Sequence, residues 1–141
     1  MLSVESQQRI EKLLLSNDII KKPDLEKARL DAIAQNKPLL TYLAERQLVG
    51  DEELTKVSAQ ASSVPYVNLV GVVVPKDTLD ALPKPSAETY MAAPFGQLQG
   101  RLAVAMLDPT NVQAIDFLSR KSGRQIASFM ASRASIEHVL S

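Results

Sequence analysis

The residues of this 141-residue chain with reactive side chains are few and scattered. A single histidine, His138, and the absence of cysteine leave no set of nitrogen and sulfur ligands, so we predict no metal site. The obvious acidic pairs, Glu52–Glu53 and Glu11–Asp18, have the positions of helix starts and surface charges. The sequence contains no GxxxxGK[ST] phosphate loop, no GxGxxG turn and no G-x-S-x-G elbow. We therefore predict no catalytic residue in this chain.

One stretch, RLAVAMLDPTN at 101–111, ends an apolar run with four turn-forming residues. Asp108 can offer an oxygen to the free N–H groups of a helix start, and Pro109 suits the first turn. Thr110 or Asn111 are alternative caps. An anion bound at this helix N-terminus is the functional alternative, which the negative charge of Asp108 opposes. We interpret the stretch as a strand-to-helix junction capped by Asp108.

The composition is that of a globular protein. The chain is 45% hydrophobic and 23% charged, and 16 Lys and Arg residues balance 16 Asp and Glu residues. The balanced charge predicts no nucleic-acid partner. No apolar run approaches the roughly 20 residues of a membrane-spanning helix, and the start does not resemble a signal peptide, so we expect no direct membrane insertion. With no cysteine, a cytosolic protein is the best interpretation.

The sequence contains segments with the spacing of helices and segments with the pattern of strands, and we expect an α+β fold. Residues 1–62 are predicted to form a helical lobe, because apolar residues recur at helical spacing in short segments that must pack together to be stable. The segments carry Ile10, Leu13 and Leu14; Leu25, Ala28, Ala32 and Ile33; Leu39, Leu40 and Leu43; and Leu54, Val57 and Ala61.

An internal repeat relates residues 9–25 to residues 38–54 at a constant offset. The matched apolar pairs are Ile10 with Leu39, Leu14 with Leu43, Ile19 with Leu48, Ile20 with Val49, and Leu25 with Leu54. The repeat predicts two similar helical hairpins that face one another. The alternative is chance similarity between amphipathic helices, because apolar register is easily matched.

Residues 63–141 are predicted to form a small α/β sandwich with a mostly antiparallel sheet. The candidate strands are 66–69, 91–98, 101–107 and 125–131, and the candidate helices are 75–82, 112–121 and a last one capped by Ser132. Gln99 and Gly100 suit a tight hairpin turn. Both faces of 101–107 are apolar, which predicts a central strand covered on both sides. Pro83 and Pro85 are expected to end the helix at 75–82.

The segment LAVAMLDPTNVQAIDFLSRKSGRQI, with NKPLLTYLAERQLV upstream and VPYVNL between, resembles the N-terminal domain of bacterial type IV pilus assembly ATPases of the PilB kind. It is similar to the type II secretion counterparts of the GspE kind. The resemblance covers most of the chain. In that family a motor with a P-loop lies C-terminal to such a domain. The resemblance implies that this chain is one N-terminal domain of a larger, homohexameric ATPase, in which ATP and magnesium belong to the motor and this chain holds no cofactor.

Some members of the resembled family bind cyclic di-GMP through a doubled motif similar to R-L-G-x-x-L-x-x-x-G. The resemblance implies Arg9, Ile10 and Leu14 as candidate ligand-binding residues in the first copy. Glu11 and Asp18 replace its glycines, and the second copy has Pro38 for the arginine and Leu40 and Gln47 for the glycines. Lost donors, added bulk and added negative charge oppose the binding of a dianion. We expect that the motif has kept its fold and lost its ligand; direct binding is the alternative.

The resemblance also implies a docking role. Such N-terminal domains link the cytosolic motor to inner-membrane assembly proteins, or to adaptors such as PilZ-domain proteins, at the inner face of the cytoplasmic membrane. The candidate partner interface is the apolar pair at each hairpin turn, Ile19–Ile20 and Leu48–Val49. The alternative is that these four side chains close the bundle, since small bundles need every apolar residue.

Overall fold

A computed structural model describes residues 3–141 of the chain; residues 1 and 2, with which the predicted helical lobe begins, lie outside the described residues. The described part contains eight helices and three strands, which confirms the predicted α+β class. It falls into two compact units, one that ends at Ala61 and one that spans Ser62–Ser141. We call them the helical unit and the α/β unit.

The helical unit contains four helices: α1 (Val4–Ser16), α2 (Lys22–Ala34), α3 (Leu39–Glu45) and α4 (Asp51–Ala61). Local signals set their starts. The Ser3 hydroxyl accepts a hydrogen bond from the backbone N–H of Ser6, and Pro23 lies in the first turn of α2, where a missing N–H costs nothing. Helix α1 packs against α4 and α2 packs against α3, so the main packing partners belong to different hairpins.

A single apolar core joins the four helices, and its largest fully buried side chains are Ile10, Leu14, Leu25 and Leu43. Ile33 was expected on the buried face of α2, and that prediction is wrong, because 69% of its surface is exposed. The residues of α2 that are buried are Leu25, Ala28 and Ala32. At 100° per residue, position 33 falls roughly 110° from the centre of that stripe, which places Ile33 on the solvent side.

The α/β unit contains α5 (Lys76–Leu79), α6 (Lys84–Tyr90), β1 (Ala92–Leu98), β2 (Arg101–Met106), α7 (Val112–Ser122), β3 (Ile126–Met130) and α8 (Arg133–Leu140). Two local predictions are wrong. The predicted strand at 66–69 is an isolated bridge between Tyr66 and Met130. Helix α6 is not among the predicted helices, and Pro85, expected to end a helix, lies in the first turn of this one; the missing N–H would be unsatisfied there anyway, so proline is tolerated.

The sheet has the order β1-β2-β3 and is mixed. Strands β1 and β2 are antiparallel, and β2 and β3 are parallel, so the expectation of a mostly antiparallel sheet holds for one of the two ladders. The helix α7 between β2 and β3 is the crossover that a parallel pair requires. The predicted hairpin turn is confirmed: Gln99 and Gly100 have φ of 52° and 78°, the positive values of a type I′ turn.

Strand β2 is central and apolar on both faces, as predicted. On one face Leu102, Val104 and Met106 pack with α6 and α7. On the other face Ala105 packs with Ile136 of α8 and with neighbouring apolar residues. The alternation along β2 therefore supplies two separate cores, one on each side of the sheet.

Candidate functional site: the two equivalent turns of the helical unit

The turn between α1 and α2 and the turn between α3 and α4 have the same backbone hydrogen bonds. In each, two successive apolar residues donate to one carbonyl oxygen in the last turn of the preceding helix. The bonds are Ile19 and Ile20 to Leu14 at 3.0 and 3.4 Å, and Leu48 and Val49 to Leu43 at 2.9 and 3.4 Å. These residues are equivalent in the sequence repeat, so the repeat is one of backbone conformation.

Each of these turns begins with a non-glycine residue in the left-handed conformation. Asp18 has φ of 56° and Gln47 has φ of 55°. Both replace the second glycine of the doubled motif. Glycine is favoured after a helix end because it enters the left-handed region without steric cost. Helix termination is therefore a sufficient local reason for a glycine at this position, independent of any ligand.

The four predicted interface residues divide into two that are buried and two that remain accessible. Ile20 and Val49 are buried in the helical core, so they close the bundle. Ile19 is half-buried, and Leu48 is 46% exposed. The two accessible residues come one from each turn, and they are equivalent in the repeat. The exposed part of the predicted interface is therefore Ile19 with Leu48.

Ile19 and Leu48 line the same depression of about 450 Å³, which we call the turn recess. The charged residues around it are Asp18, Lys21, Asp24 and Lys27. None of these four side chains has an ion-pair partner among residues 3–141. The turn recess thus combines apolar side chains with two carboxylates and two ammonium groups that are free to meet a partner.

The predicted ligand-binding residues do not lie together on a surface. Ile10 and Leu14 are fully buried and belong to the helical core, so neither side chain can reach a ligand without opening that core. Arg9 is exposed, and its Nη2 atom lies 3.5 Å from the Ser6 hydroxyl. Of the three residues, only Arg9 is available to a ligand.

Glu11, which replaces the first glycine of the motif, forms an ion pair that sequence reasoning missed. Its Oε1 atom lies 2.5 Å from Nη2 of Arg29, and Gln7 donates to its Oε2 atom at 3.1 Å. The hydrogen bond that Arg29 donates to Glu11 raises the pKa of Arg29 above its ordinary value, although burial acts in the opposite direction. The pair joins α1 to α2 across 18 residues of sequence, and no periodicity relates the two positions.

The strand-to-helix junction at 107–112 is structural, but its cap is Asn111. The Asn111 side chain accepts a hydrogen bond from the N–H of Ala114 at 3.1 Å, so the prediction that Asp108 caps α7 is wrong and the alternative is right. Asp108 instead accepts from the N–H of Thr110 within the preceding turn. Pro109 therefore precedes the helix. Helix α7 ends at Ser122, and Gly123, whose φ is 69°, is its left-handed C-cap.

The remaining titratable groups are dispersed over the described residues. Within residues 3–141 no group of three or more histidine, aspartate and glutamate side chains is placed to hold a metal ion. His138 is exposed in the last turn of α8, and Glu52 and Glu53 lie in the first turn of α4. No helix in the described part has both the length and the apolar character to cross a membrane.

Residues 62–141, more than half of the chain, match the model of the MshEN domain. The chain is an α+β protein in which a helical unit is followed in sequence by a unit with a mixed sheet. The chain belongs to the MshEN domain family.

The relatives agree with this assignment. The chain is 29% identical over 132 residues to the type IV pilus assembly ATPase PilB of Myxococcus xanthus (strain DK1622); the match covers 94% of this chain and 23% of the relative. The chain therefore spans less than a quarter of the length of that curated relative. The predicted resemblance to pilus assembly ATPases of the PilB kind is confirmed.

Two solved structures share the fold. The structure of MshE with cdg has a TM-score of 0.69 at 22% identity, covering 94% of this chain and 96% of that chain. The N-terminal domain of XpsE has a TM-score of 0.62 at 24% identity, covering 99% of this chain and 96% of that chain.

Proposed function

We propose that this chain is the regulatory and docking N-terminal domain of a cytoplasmic, hexameric type IV pilus assembly ATPase. Its partner is an adaptor such as a PilZ-domain protein, or an inner-membrane assembly protein that brings it to the inner face of the cytoplasmic membrane. ATP and magnesium belong to the motor of the parent protein. The turn recess supports the proposal, because it brings Ile19 and Leu48 from two different turns to one accessible surface.

The chemistry of the turn recess suits a protein partner. A partner that covers the exposed part of Leu48 removes apolar surface from water, and this burial contributes roughly 25 cal/mol of favourable free energy per Å². Asp24 and Lys27, which line the recess, give it one negative and one positive charge, and a partner with complementary charges is favoured over one of the wrong sign. A partner helix with one apolar side chain between charged neighbours fits this description.

The test compares Leu48→Asp with Leu98→Asp. Leu98 is the matched control, since it is exposed to the same 46% and lies in β1 of the other unit. Binding is measured by calorimetry against two purified proteins of the same organism, a PilZ-domain protein and the cytosolic part of the inner-membrane assembly protein. We expect Leu48→Asp to weaken binding at least tenfold, which is about 1.4 kcal/mol, and Leu98→Asp to leave it unchanged.

Thermal unfolding of both variants serves as the control for folding. Equal affinity of the wild type and folded Leu48→Asp would remove the turn recess from the proposal. Absence of binding by the wild-type chain to both proteins would remove the docking role itself.

Direct binding of cyclic di-GMP is the second candidate function. Its support is the solved structure of MshE with cdg, an abbreviation for this dinucleotide, together with the exposed Arg9. Against it, Ile10 and Leu14 are buried and Glu11 is held by Arg29. Calorimetry with cyclic di-GMP at high micromolar protein is expected to give no heat. Saturable binding heat in the wild type that is lost in Arg9→Ala would establish direct binding of cyclic di-GMP, in place of a docking role that involves no ligand.

A further inference from the structure

The outer edge of β3 carries backbone groups with no strand beside them. β3 lies at the end of the sheet, and β2 is on its inner side. The N–H of Leu102 donates to the carbonyl oxygen of Gln125. The backbone N–H and C=O groups of the odd-numbered residues of this segment are therefore directed toward β2. Ile126, Ser128 and Met130 therefore direct their N–H and C=O groups outward.

Only the last of these three residues is paired. The N–H of Met130 donates to the carbonyl oxygen of Pro65 at 2.8 Å, and the N–H of Val67 donates to the carbonyl oxygen of Met130 at 3.0 Å. The next bond along this parallel bridge would need an N–H at position 65, and proline has none. The chain also turns away at Ser63, where φ is 56°. Among residues 3–141, the outward groups of Ile126 and Ser128 have no backbone partner.

The two edges of the sheet differ in their protection. The β1 edge contains Pro94 and an irregularity of the ladder between Pro94 and Gly96, both of which obstruct pairing with another strand. The β3 edge at 126–128 has no proline, no bulge and no charged side chain. Such an edge is a template for an additional strand.

Basic residues surround the start of this edge. Arg124 directly precedes β3, Arg101 begins the neighbouring strand, and Arg120 and Lys121 end α7. None of these four forms an ion pair with another of residues 3–141, and Asp116, one turn earlier in α7, is not within ion-pair distance of them. This end of the edge is therefore positive and open to carboxylates.

We propose that the outer edge of β3 is a second docking surface, which takes an extended segment of a partner protein as a fourth strand with carboxylates beside Arg101 and Arg124. The backbone groups of Ile126 and Ser128 provide the strand pairing, and the basic residues select an acidic segment. The proposal concerns the α/β unit and is independent of the turn recess.

The experiment is a titration of the ¹⁵N-labelled chain, followed by amide NMR, with three capped peptides. Two of the peptides have the core Val-Thr-Val-Thr, with Glu-Asp at the N-terminal end of the core in one and at the C-terminal end in the other. The third peptide has the same core with Lys-Lys in place of Glu-Asp. We expect saturable shifts and at least tenfold slower amide exchange at Ile126 and Ser128 with one acidic peptide and no response to the basic one. Acids at the N-terminal end correspond to a parallel added strand, and acids at the C-terminal end to an antiparallel one.

The variant R101E/R124E tests the role of charge, since Arg101 is exposed, Arg124 is half-exposed and neither has an ion-pair partner among the described residues. It is expected to reverse the preference, so that the basic peptide binds and the acidic ones do not. Absence of any shift at Ile126 and Ser128 at millimolar peptide would overturn the proposal, as would equal binding of acidic and basic peptides. Amide protection at these residues that rises with protein concentration alone would assign the edge to a second copy of the chain instead.

Discussion

Asp18 and Gln47 hold the same left-handed backbone conformation, with φ of 56° and 55°, at equivalent turns of the helical unit. Each follows a helix whose carbonyl oxygens accept hydrogen bonds from the next two residues of the turn. A side chain in this conformation crowds the backbone, at a cost of roughly 1–2 kcal/mol. The motif therefore has two separate roles, the ending of a helix and the binding of a ligand, and the equivalent conformations of Asp18 and Gln47 belong to the first.

Glycine at position 47 is expected to stabilise the chain. Gln47→Gly relieves the crowding, and the greater freedom of glycine in the unfolded chain offsets part of the gain. We expect a net increase of about 0.5–1 kcal/mol in the free energy of unfolding, measured by urea denaturation. Asn36→Gly, at a third left-handed position with φ of 54°, should gain less, because asparagine tolerates this conformation better. Lys56→Gly, on the exposed face of α4, is the opposite control and should lose about 1 kcal/mol.

The ion pair between Glu11 and Arg29 is expected to couple α1 to α2. The side chains are 13% and 35% exposed, so water screens the pair only in part. A double-mutant cycle with Glu11→Gln and Arg29→Met should give a coupling of about 0.5–1 kcal/mol in the free energy of unfolding. The matched pair Lys37–Glu45 is 41% and 50% exposed, and its coupling should be smaller. Equal coupling in the two cycles would contradict the role of partial burial.

Leu14 is expected to behave as a core residue and Arg9 as a surface residue. Leu14→Ala and Leu43→Ala, at equivalent buried positions, should each lower the free energy of unfolding by about 2–4 kcal/mol, because each leaves a cavity. Arg9→Ala should change it by less than about 0.5 kcal/mol. Circular dichroism during urea unfolding measures all three. A Leu14→Ala cost as small as that of Arg9→Ala would mean that this side chain is not packed as described.

The start of α7 is expected to depend on Asn111 more than on Asp108. Asn111→Ala removes the side-chain oxygen that accepts from Ala114 and should cost about 1 kcal/mol. Asn111→Asp keeps an acceptor and is the control, with a cost near zero. Asp108→Ala removes a bond within an exposed turn and should cost only a few tenths of a kcal/mol. The reverse order in thermal unfolding would restore Asp108 as the cap.

Features that depend on neighbours in sequence were predictable. The positive φ of Gln99 and Gly100 follows from the demands of a two-residue hairpin turn, and the end of α7 follows from Gly123. The Ser132 cap of α8 is confirmed by the hydrogen bond that its hydroxyl accepts from Ser135. Each of these signals acts within a few residues of the chain, which is why a single sequence contains it.

Tertiary structure decided the rest. Whether β3 runs parallel to β2, and whether Ile33 faces the core, depend on which elements meet, and periodicity does not name the partner of an apolar face. The same holds for Glu11 and Arg29, which are brought together only by the packing of α1 and α2. Likewise, the sequence shows that the four turn residues Ile19, Ile20, Leu48 and Val49 are apolar, but it does not show which of them are buried and which are accessible. That division depends on where the second hairpin lies, which is a property of the packed unit.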